Sequence, residues 1–206
     1  MSDRARQPGF DRQRATAELA GLVQPVRLLG QLPGLLHEPR RRTGTVVVLP
    51  GRGFGDRSTA PLRSFLRSKG YRVRGWGRGA NRSDARTLVG PVVDDLEAIV
   101  EADGAPVALV GQSLGGYLAR EVARRRPDLV SQVVTIGSPL FRPTSTKPLL
   151  PRVTALWSEA DQVVPPGWAL DDDPAVRRVE VGSTHFAMGF DPDVWRAVVR
   201  ALDEPT

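Results

Sequence analysis

Three side chains in this sequence have the types and the order for nucleophilic catalysis: Ser113, Asp161 and His185. Ser113 lies in Gly111-Gln112-Ser113-Leu114-Gly115-Gly116, after the apolar run Val107-Ala108-Leu109-Val110 and before a helix-like stretch from Tyr117 to Arg126. The pattern Gly-x-Ser-x-Gly gains meaning from that strand, turn and helix context. A strand that reverses into a helix within a few residues holds the central serine in a strained backbone conformation. It requires nearly side-chain-free residues two before and two after, or their Cβ atoms would clash across the turn. Such a turn lifts the Ser113 hydroxyl above the sheet edge, at the positive end of the following helix. A phosphate-binding loop would need a Lys-Ser/Thr pair that is absent here, and a dinucleotide loop a different glycine spacing.

A serine hydroxyl is a weak nucleophile and needs a base to take its proton. The chain has two histidines, His37 and His185. His185 sits in Val181-Gly182-Ser183-Thr184-His185-Phe186, a loop directly after the last expected strand, where a residue reaches across strand ends; His37 precedes the first clear strand and reads as a surface histidine. The base in turn needs a carboxylate to fix its tautomer and stabilise its charged form. Asp161, in Ser158-Glu159-Ala160-Asp161-Gln162-Val163-Val164-Pro165 after another strand, is the candidate; Glu159 is a rival, and Asp171-Asp172-Asp173 a second rival group that reads as a solvated loop. A developing oxyanion needs two preorganised donors, and the turn at Ser113 places the backbone N–H of Leu114 as one of them.

The elements that must position these residues read as alternating strands and helices. Thr45-Val46-Val47-Val48-Leu49 is apolar throughout, as suits a strand buried on both faces, and runs into the glycine-rich loop Pro50-Gly51-Arg52-Gly53-Phe54-Gly55-Asp56. Further strands are expected at Tyr71–Trp76, Val107–Val110, Asp128–Ile136, Val153–Ser158 and Arg177–Val181. Helices are expected at Thr59–Lys69, from Ala85 or Leu88 to Ala102, after Ser113, and from Asp191-Pro192, an acceptor followed by a proline. Val89, Val92, Val93, Leu96, Ile99 and Val100 recur at three- and four-residue spacing, a full amphipathic face. Alternation of this kind predicts an α/β fold: a mostly parallel sheet of about six strands with helices on both faces. Function in such sheets gathers at the carboxyl ends of the strands. Residues 1–42 read as an extension, partly helical or loose, with a short helical piece at Thr16–Leu22 and leucines broken by Gly30, Pro33 and Gly34; residues 43–206 read as the catalytic domain.

Length and composition bound the rest. A chain of 206 residues with 40% hydrophobic and 25% charged residues reads as one globular domain. There is no cysteine, so neither disulfides nor thiolate metal sites are available. No apolar stretch approaches the roughly 20 residues that span a bilayer. The N-terminal Met1-Ser2-Asp3-Arg4-Ala5-Arg6 lacks the apolar core of a secretory signal, so the expected location is the cytoplasm. The net charge is +6, yet it is almost all arginine and scattered, and residues 159–206 carry four arginines against ten acids. That distribution reads as solvated surface rather than a nucleic-acid stripe. Arg124-Arg125-Arg126 closes the helix after Ser113, where cations suit the helix dipole without any ligand. The two histidines stand apart and no carboxylate cluster has ligand spacing, so neither a metal nor an organic cofactor is expected. The sequence carries no signal for an oligomeric state.

The order Ser, Asp, His distinguishes this set from chymotrypsin-like and subtilisin-like arrangements. Together with Leu49-Pro50-Gly51-Arg52-Gly53-Phe54-Gly55 and Gly182-Ser183-Thr184-His185, it resembles the α/β-hydrolases of the bacterial esterase/lipase type over roughly residues 43–203. Many relatives open the first loop with His-Gly where this chain has Pro50-Gly51. The resemblance implies a second oxyanion donor on the residue after Pro50-Gly51, the N–H of Arg52, with Gly53 or Phe54 as alternatives in a loop of three glycines. It implies a carboxylic-ester hydrolase with a small-molecule or lipid ester as substrate. The same residues serve thioesterases, amidases, peptidases and acyltransferases, and a binding or sensing protein on the same scaffold is the reading outside enzymes. The arginine at position 52 also sets a charged side chain at the mouth, which suits anionic substrates. The segment Gly137–Arg152 is too short for a multi-helix lid, so the expected cap is minimal and the cleft open, edged by Phe141, Leu149, Leu150, Trp168 and Phe186.

Overall fold

In the computed structural model, which describes residues 23–37, 44–141, 148–170 and 173–204, the valine run is the second strand from one edge of the sheet. The strands are β1 (Thr45–Leu49), β2 (Arg72–Gly75), β3 (Val107–Gln112), β4 (Val130–Ile136), β5 (Arg152–Trp157) and β6 (Val176–Glu180). They pair in the order β2-β1-β3-β4-β5-β6, and every pairing is parallel. The helices are α1 (Val23–His37), α2 (Asp56–Ser68), α3 (Ala85–Asp103), α4 (Leu114–Arg125), the short α5 (Pro166–Ala169) and α6 (Pro192–Asp203).

Strand alternation explains why β1 is apolar at every position. Val46 and Val48 point into one core cluster with Ala108, Val110, Leu62, Phe65, Leu66 and Trp195; Val47 and Leu49 point into another with Val107, Leu109, Val89, Val92, Leu96 and Leu118. The first cluster lies under α1, α2 and α6 and the second under α3 and α4, so the sheet is covered on both faces. Phe65 of α2 and Trp195 of α6 stack at 5.1 Å, which ties two helices of the first face.

The topology creates one crevice. From β1 the chain steps outward to β2, then returns past β1 to β3 and continues outward through β6. Adjacent strands β1 and β3 therefore send their following segments in opposite directions, which is where open α/β sheets form sites at their carboxyl edge. The loop 50–55 and the turn at Ser113 leave from those two strands.

Helix α1 corrects one expectation. Gly30, Pro33 and Gly34 do not break it; the helix runs through all three. Leu28 and Leu35, seven residues apart on one stripe, are both buried in the first core cluster. Burial of each stabilises by about 1.5–3 kcal/mol, enough to override a weak local propensity. Polar contacts add register: Arg27 reaches Asp193, Arg196 donates to Gln31, and the buried Lys69 donates to the Leu35 carbonyl while lying 5.3 Å above the Phe65 ring. Exposed pairs such as the first contribute at most about 1 kcal/mol, so packing holds the helix and the pairs orient it. The helical piece expected at Thr16–Leu22 and the basic run Arg40-Arg41-Arg42 lie outside the described residues. Among the described residues no helix is long and apolar enough to cross a membrane.

Candidate active site

Ser113 is the only non-glycine residue with positive φ among the described residues (φ 50°, ψ −121°). Its N–H donates to the Ile136 carbonyl across β4 (2.8 Å), and its carbonyl accepts from Gly116 (2.9 Å) and Tyr117 (3.3 Å), so the turn is bonded to the sheet and to its helix. The glycines around it are there because backbone passes through the space a side chain would fill. A Cβ on Gly111 would lie 2.4 Å from the Gly115 carbonyl oxygen, and one on Gly115 would lie 2.3 Å from the Leu49 carbonyl oxygen. Gly116, whose need the sequence pattern does not show, would meet the Ser138 hydroxyl at 1.8 Å.

His185 and Asp161 come to the same edge from β6 and β5. Asp161 is 3% exposed and His185 also 3%. One Asp161 oxygen, Oδ1, accepts the N–H groups of Val163 (2.9 Å) and Val164 (2.7 Å), which fixes the carboxylate. The other, Oδ2, lies 2.7 Å from His185 Nδ1. A carboxylate only accepts, so in the neutral imidazole the proton belongs on Nδ1 and Nε2 offers a lone pair. Nε2 faces Ser113 Oγ at 3.1 Å. The structure thus brings Ser113, His185 and Asp161 into one hydrogen-bonded line. The histidine loop is closed from behind: the Ser183 hydroxyl donates to Asp191, which also caps α6 by accepting from the Asp193 N–H (2.7 Å). Of the rival acids, Glu159 is exposed and Asp173 accepts from Ala175 in a turn before β6, at the opposite edge; Asp171 and Asp172 lie outside the described residues. His37 is the last residue of α1, and its side chain is not among those described.

The glycine-rich loop after β1 lies against the serine: a Cβ on Gly51 would be 3.4 Å from Ser113 Cβ. Its backbone donors are not equally available. The Gly53 N–H donates to the Asn81 carbonyl (2.7 Å) and the Phe54 N–H to the Gly51 carbonyl (3.1 Å). The Arg52 N–H makes no hydrogen bond among the described residues. Leu114 opens α4 and so has no acceptor within the helix for its N–H. Two uncommitted donors therefore stand on segments that flank the serine.

Gly137 is a site residue that sequence reading took only for the start of a loop. It ends β4 with φ 53°, and a Cβ there would sit 3.0 Å from Asp161 Oδ2, 3.0 Å from Met188 Sδ and 3.3 Å from His185 Nδ1. A glycine closing a strand is the available sequence signal; what it touches depends on β5 and β6 arriving beside it. Gly137→Ala is expected to lower any turnover at this site roughly 10- to 100-fold by displacing the Asp161–His185 pair, with about 1–2 kcal/mol of lost stability from the positive φ. Turnover per folded molecule, followed beside thermal unfolding, checks this; unchanged turnover would show that the pair tolerates the displacement.

The mouth is aromatic. Phe54 and Phe186 meet edge-on at 6.2 Å, Phe186 meets His185 at 5.4 Å, and Phe141 meets Tyr117 at 5.3 Å. Phe54, Phe141, Trp168 and Phe186 are all exposed, and the Leu140 N–H bonds the Trp168 carbonyl (2.7 Å), which joins the segments after β4 and β5. Burial pushes the Tyr117 phenol above its usual pKa, with Glu121 adding to the shift. Leu149 and Leu150 are a correction. They precede β5, which puts them at the amino edge of the sheet, where they line a separate hollow of about 430 Å³ with Ser131, Arg152, Asp173 and Val176. Among the described residues no three His, Cys, Asp or Glu side chains gather as a metal site would require.

The fold and the site together define a class. The chain belongs to the alpha/beta hydrolase family, whose model matches residues 46–205. Among solved structures, it is similar to a Thermoplasma acidophilum protein predicted to be a CIB-like hydrolase (21% identity, TM-score 0.61, 78% of this chain and 86% of that one). It is also similar to a Mycobacterium tuberculosis H37Rv protein proposed to be the non-heme bromoperoxidase BpoC (19%, 0.64, 80% and 94%). A third likeness is to the monoacylglycerol lipase of Paleococcus ferrophilus (18%, 0.57, 78% and 92%). At these identities the likeness is one of fold. No curated protein matches the sequence.

Proposed function

We propose that the chain is a serine hydrolase of carboxylic esters, with Ser113 as nucleophile, His185 as general base and acid, Asp161 as its orienting carboxylate, and the N–H groups of Arg52 and Leu114 as the oxyanion donors. The observation that carries the reading is the Asp161–His185–Ser113 line, 2.7 Å and 3.1 Å, ending on a serine held at positive φ. His185 Nε2 takes the hydroxyl proton as Oγ attacks the ester carbonyl. The carbonyl π pair moves to oxygen, and the resulting oxyanion is held by the two uncommitted N–H groups. Collapse expels the alkoxide, which leaves with the proton from His185, and Ser113 carries the acyl group. Water then enters by the same route in reverse: His185 deprotonates it, it attacks the acyl carbonyl, and Ser113 leaves with the proton restored. Asp161 stabilises the positive imidazole in both halves. The exposed aromatic rim gives an acyl chain apolar surface to lie on, and the similar fold of a monoacylglycerol lipase is in keeping with a lipid-derived ester.

The test is hydrolysis of p-nitrophenyl esters from acetate to palmitate, run beside labelling of the protein by a fluorophosphonate. Turnover with labelling at Ser113 is expected, and the chain-length profile sizes the acyl site. No turnover at any length and no labelling would overturn the reading in favour of a non-catalytic scaffold. Labelling without ester turnover would redirect it to another acyl substrate, a thioester or amide.

A further inference from the structure

We infer that Asn81 is a positioning residue of this site: its side-chain amide holds the loop 50–54 in the one register that leaves the Arg52 N–H available to an oxyanion. The inference rests on the ester-hydrolase reading above.

Asn81 lies on the connection from β2 to α3, distant in sequence from both the loop and the serine, and is fully buried at 0% exposure. Among the described residues it makes three hydrogen bonds, all to loop 50–54. Its Nδ2 donates to the Pro50 carbonyl (2.8 Å), its backbone N–H donates to the Phe54 carbonyl (2.7 Å), and its own carbonyl accepts the Gly53 N–H (2.7 Å). The amide orientation follows from chemistry, since the Pro50 carbonyl can only accept. These contacts bracket Gly51 and Arg52 from both sides. One of them consumes the Gly53 donor, which removes the nearest competitor to Arg52. Only the contact at Pro50 uses the side chain, and it is the one on the serine side of the bracket.

Asn81 is itself braced. Trp76 Nε1 donates to the Gly79 carbonyl (2.8 Å), and the Asp56 carboxylate accepts the N–H groups of Trp76 and Gly77 (3.0 Å each). Gly55 and Gly79 approach so closely that a Cβ on Gly55 would be 2.6 Å from the Gly79 oxygen. The loops after β1 and β2 are thus bonded to each other at several points, with Asn81 as the contact to the segment that bears Arg52.

The other amide atom makes the choice of residue informative. Asn81 Oδ1 is buried and has no hydrogen-bond partner among the described residues. Buried polar atoms are nearly always satisfied, and an orphan is destabilising. Packing alone would be served better by an apolar side chain. What asparagine supplies that an apolar residue does not is the donor to Pro50.

The test compares Asn81→Ala, Asn81→Ser and the isosteric Asn81→Asp with the parent, using p-nitrophenyl butyrate and counting active sites with a fluorophosphonate. Deleting an oxyanion donor outright lowers kcat about 10²- to 10³-fold, so releasing one from its register is expected to lower kcat per titrated site roughly 10- to 100-fold. KM is expected to stay within about threefold, because ground-state contacts are untouched. Affinity for a phenylboronic acid, whose tetrahedral adduct on Ser113 uses the same donors, is expected to fall in parallel with kcat. A merely structural role would lower the melting temperature and the number of titratable sites while leaving kcat per site and boronate affinity unchanged, and that result overturns the inference. If the alanine variant does not fold, the isosteric and serine variants give the reading. A parent protein inert to both ester and fluorophosphonate would overturn the hydrolase reading, and this inference with it; an active parent with equally active variants overturns this inference alone.

Discussion

Ser113→Ala is expected to lower p-nitrophenyl butyrate turnover by at least about 10⁴-fold, with KM and melting temperature close to the parent's. The size follows from how the site divides its work. On the proposed mechanism, loss of Oγ leaves His185 only a water to activate, and the remaining donors and binding surface retain a small residue of rate over solution, as in serine hydrolases stripped of their nucleophile. The neighbouring hydroxyls offer no replacement: Ser138 and Ser183 are both buried, and Ser183 is bonded to Asp191. Stability is expected to hold because alanine at φ 50° carries the same backbone strain as serine. Ser113→Gly separates the two effects. It removes the hydroxyl and relieves about 1–3 kcal/mol of strain, against an entropic loss of up to about 1 kcal/mol for glycine. It should therefore be as inactive as Ser113→Ala and melt higher. Active-site-normalised kinetics and calorimetry on the pair check this. An alanine variant with more than a tenth of the parent rate would place the nucleophile elsewhere, and a glycine variant that melts below the alanine one would remove strain from the account.

The three residues that the structure brings into one hydrogen-bonded line were legible because each sits where local sequence announces a strand end. The apolar run before Gly111 and the one before Ser158 mark the carboxyl edge, and Gly182 marks the loop that carries His185. The mostly parallel sheet of about six strands needed only the alternation of elements; the strand order and the parallel pairing of every strand are seen only in the assembled sheet. What was not legible depends on which loops meet. Gly137 touches the Asp161–His185 pair only because β4, β5 and β6 are neighbours in register, and nothing adjacent to it in sequence says so. Asn81 looks like an ordinary loop asparagine until the β2 and β1 loops are seen to cross. Arg52, Gly53 and Phe54 could not be ranked as donors from a run of glycines; the hydrogen bonds of Gly53 and Phe54 separate them. The misplacement of Leu149 and Leu150 has a different origin. Both lie within a long connection, and its far end necessarily returns to the amino edge where β5 begins. Helix α1 was misread because glycine and proline were weighed locally, while Leu28 and Leu35 find burial only in the assembled first face.

Gly115→Ala should be severely damaging for a substitution that adds one methyl group, and it tests whether close approach of α4 to β1 is what builds the site. The added Cβ would lie 2.3 Å from the Leu49 carbonyl oxygen and 2.7 Å from the Pro50 carbonyl oxygen. Both are backbone atoms, in the last residue of β1 and the first of the loop that bears Arg52. A flexible side chain would swing aside; here α4 must lift by about an ångström or the loop must move. Overpacking of this kind costs about 1–3 kcal/mol in ordinary cores, and against rigid backbone on two sides about 4 kcal/mol is expected, a large share of the roughly 5–15 kcal/mol that holds a domain folded. The helix-propensity gain of alanine over glycine, about 1 kcal/mol, cannot offset it. Gly30→Ala supplies the opposite sign from the same substitution. That residue is exposed within α1 and a Cβ there meets nothing within 4 Å, so about 0.5–1 kcal/mol of added stability is expected. In whatever fraction of Gly115→Ala folds, kcat per titrated site should drop at least about 100-fold, because either adjustment moves the Arg52 and Leu114 donors relative to Ser113. Thermal unfolding with titrated kinetics on both variants decides it: a Gly115→Ala protein that melts with the parent and turns over at the parent rate would show that the close approach is incidental to the site.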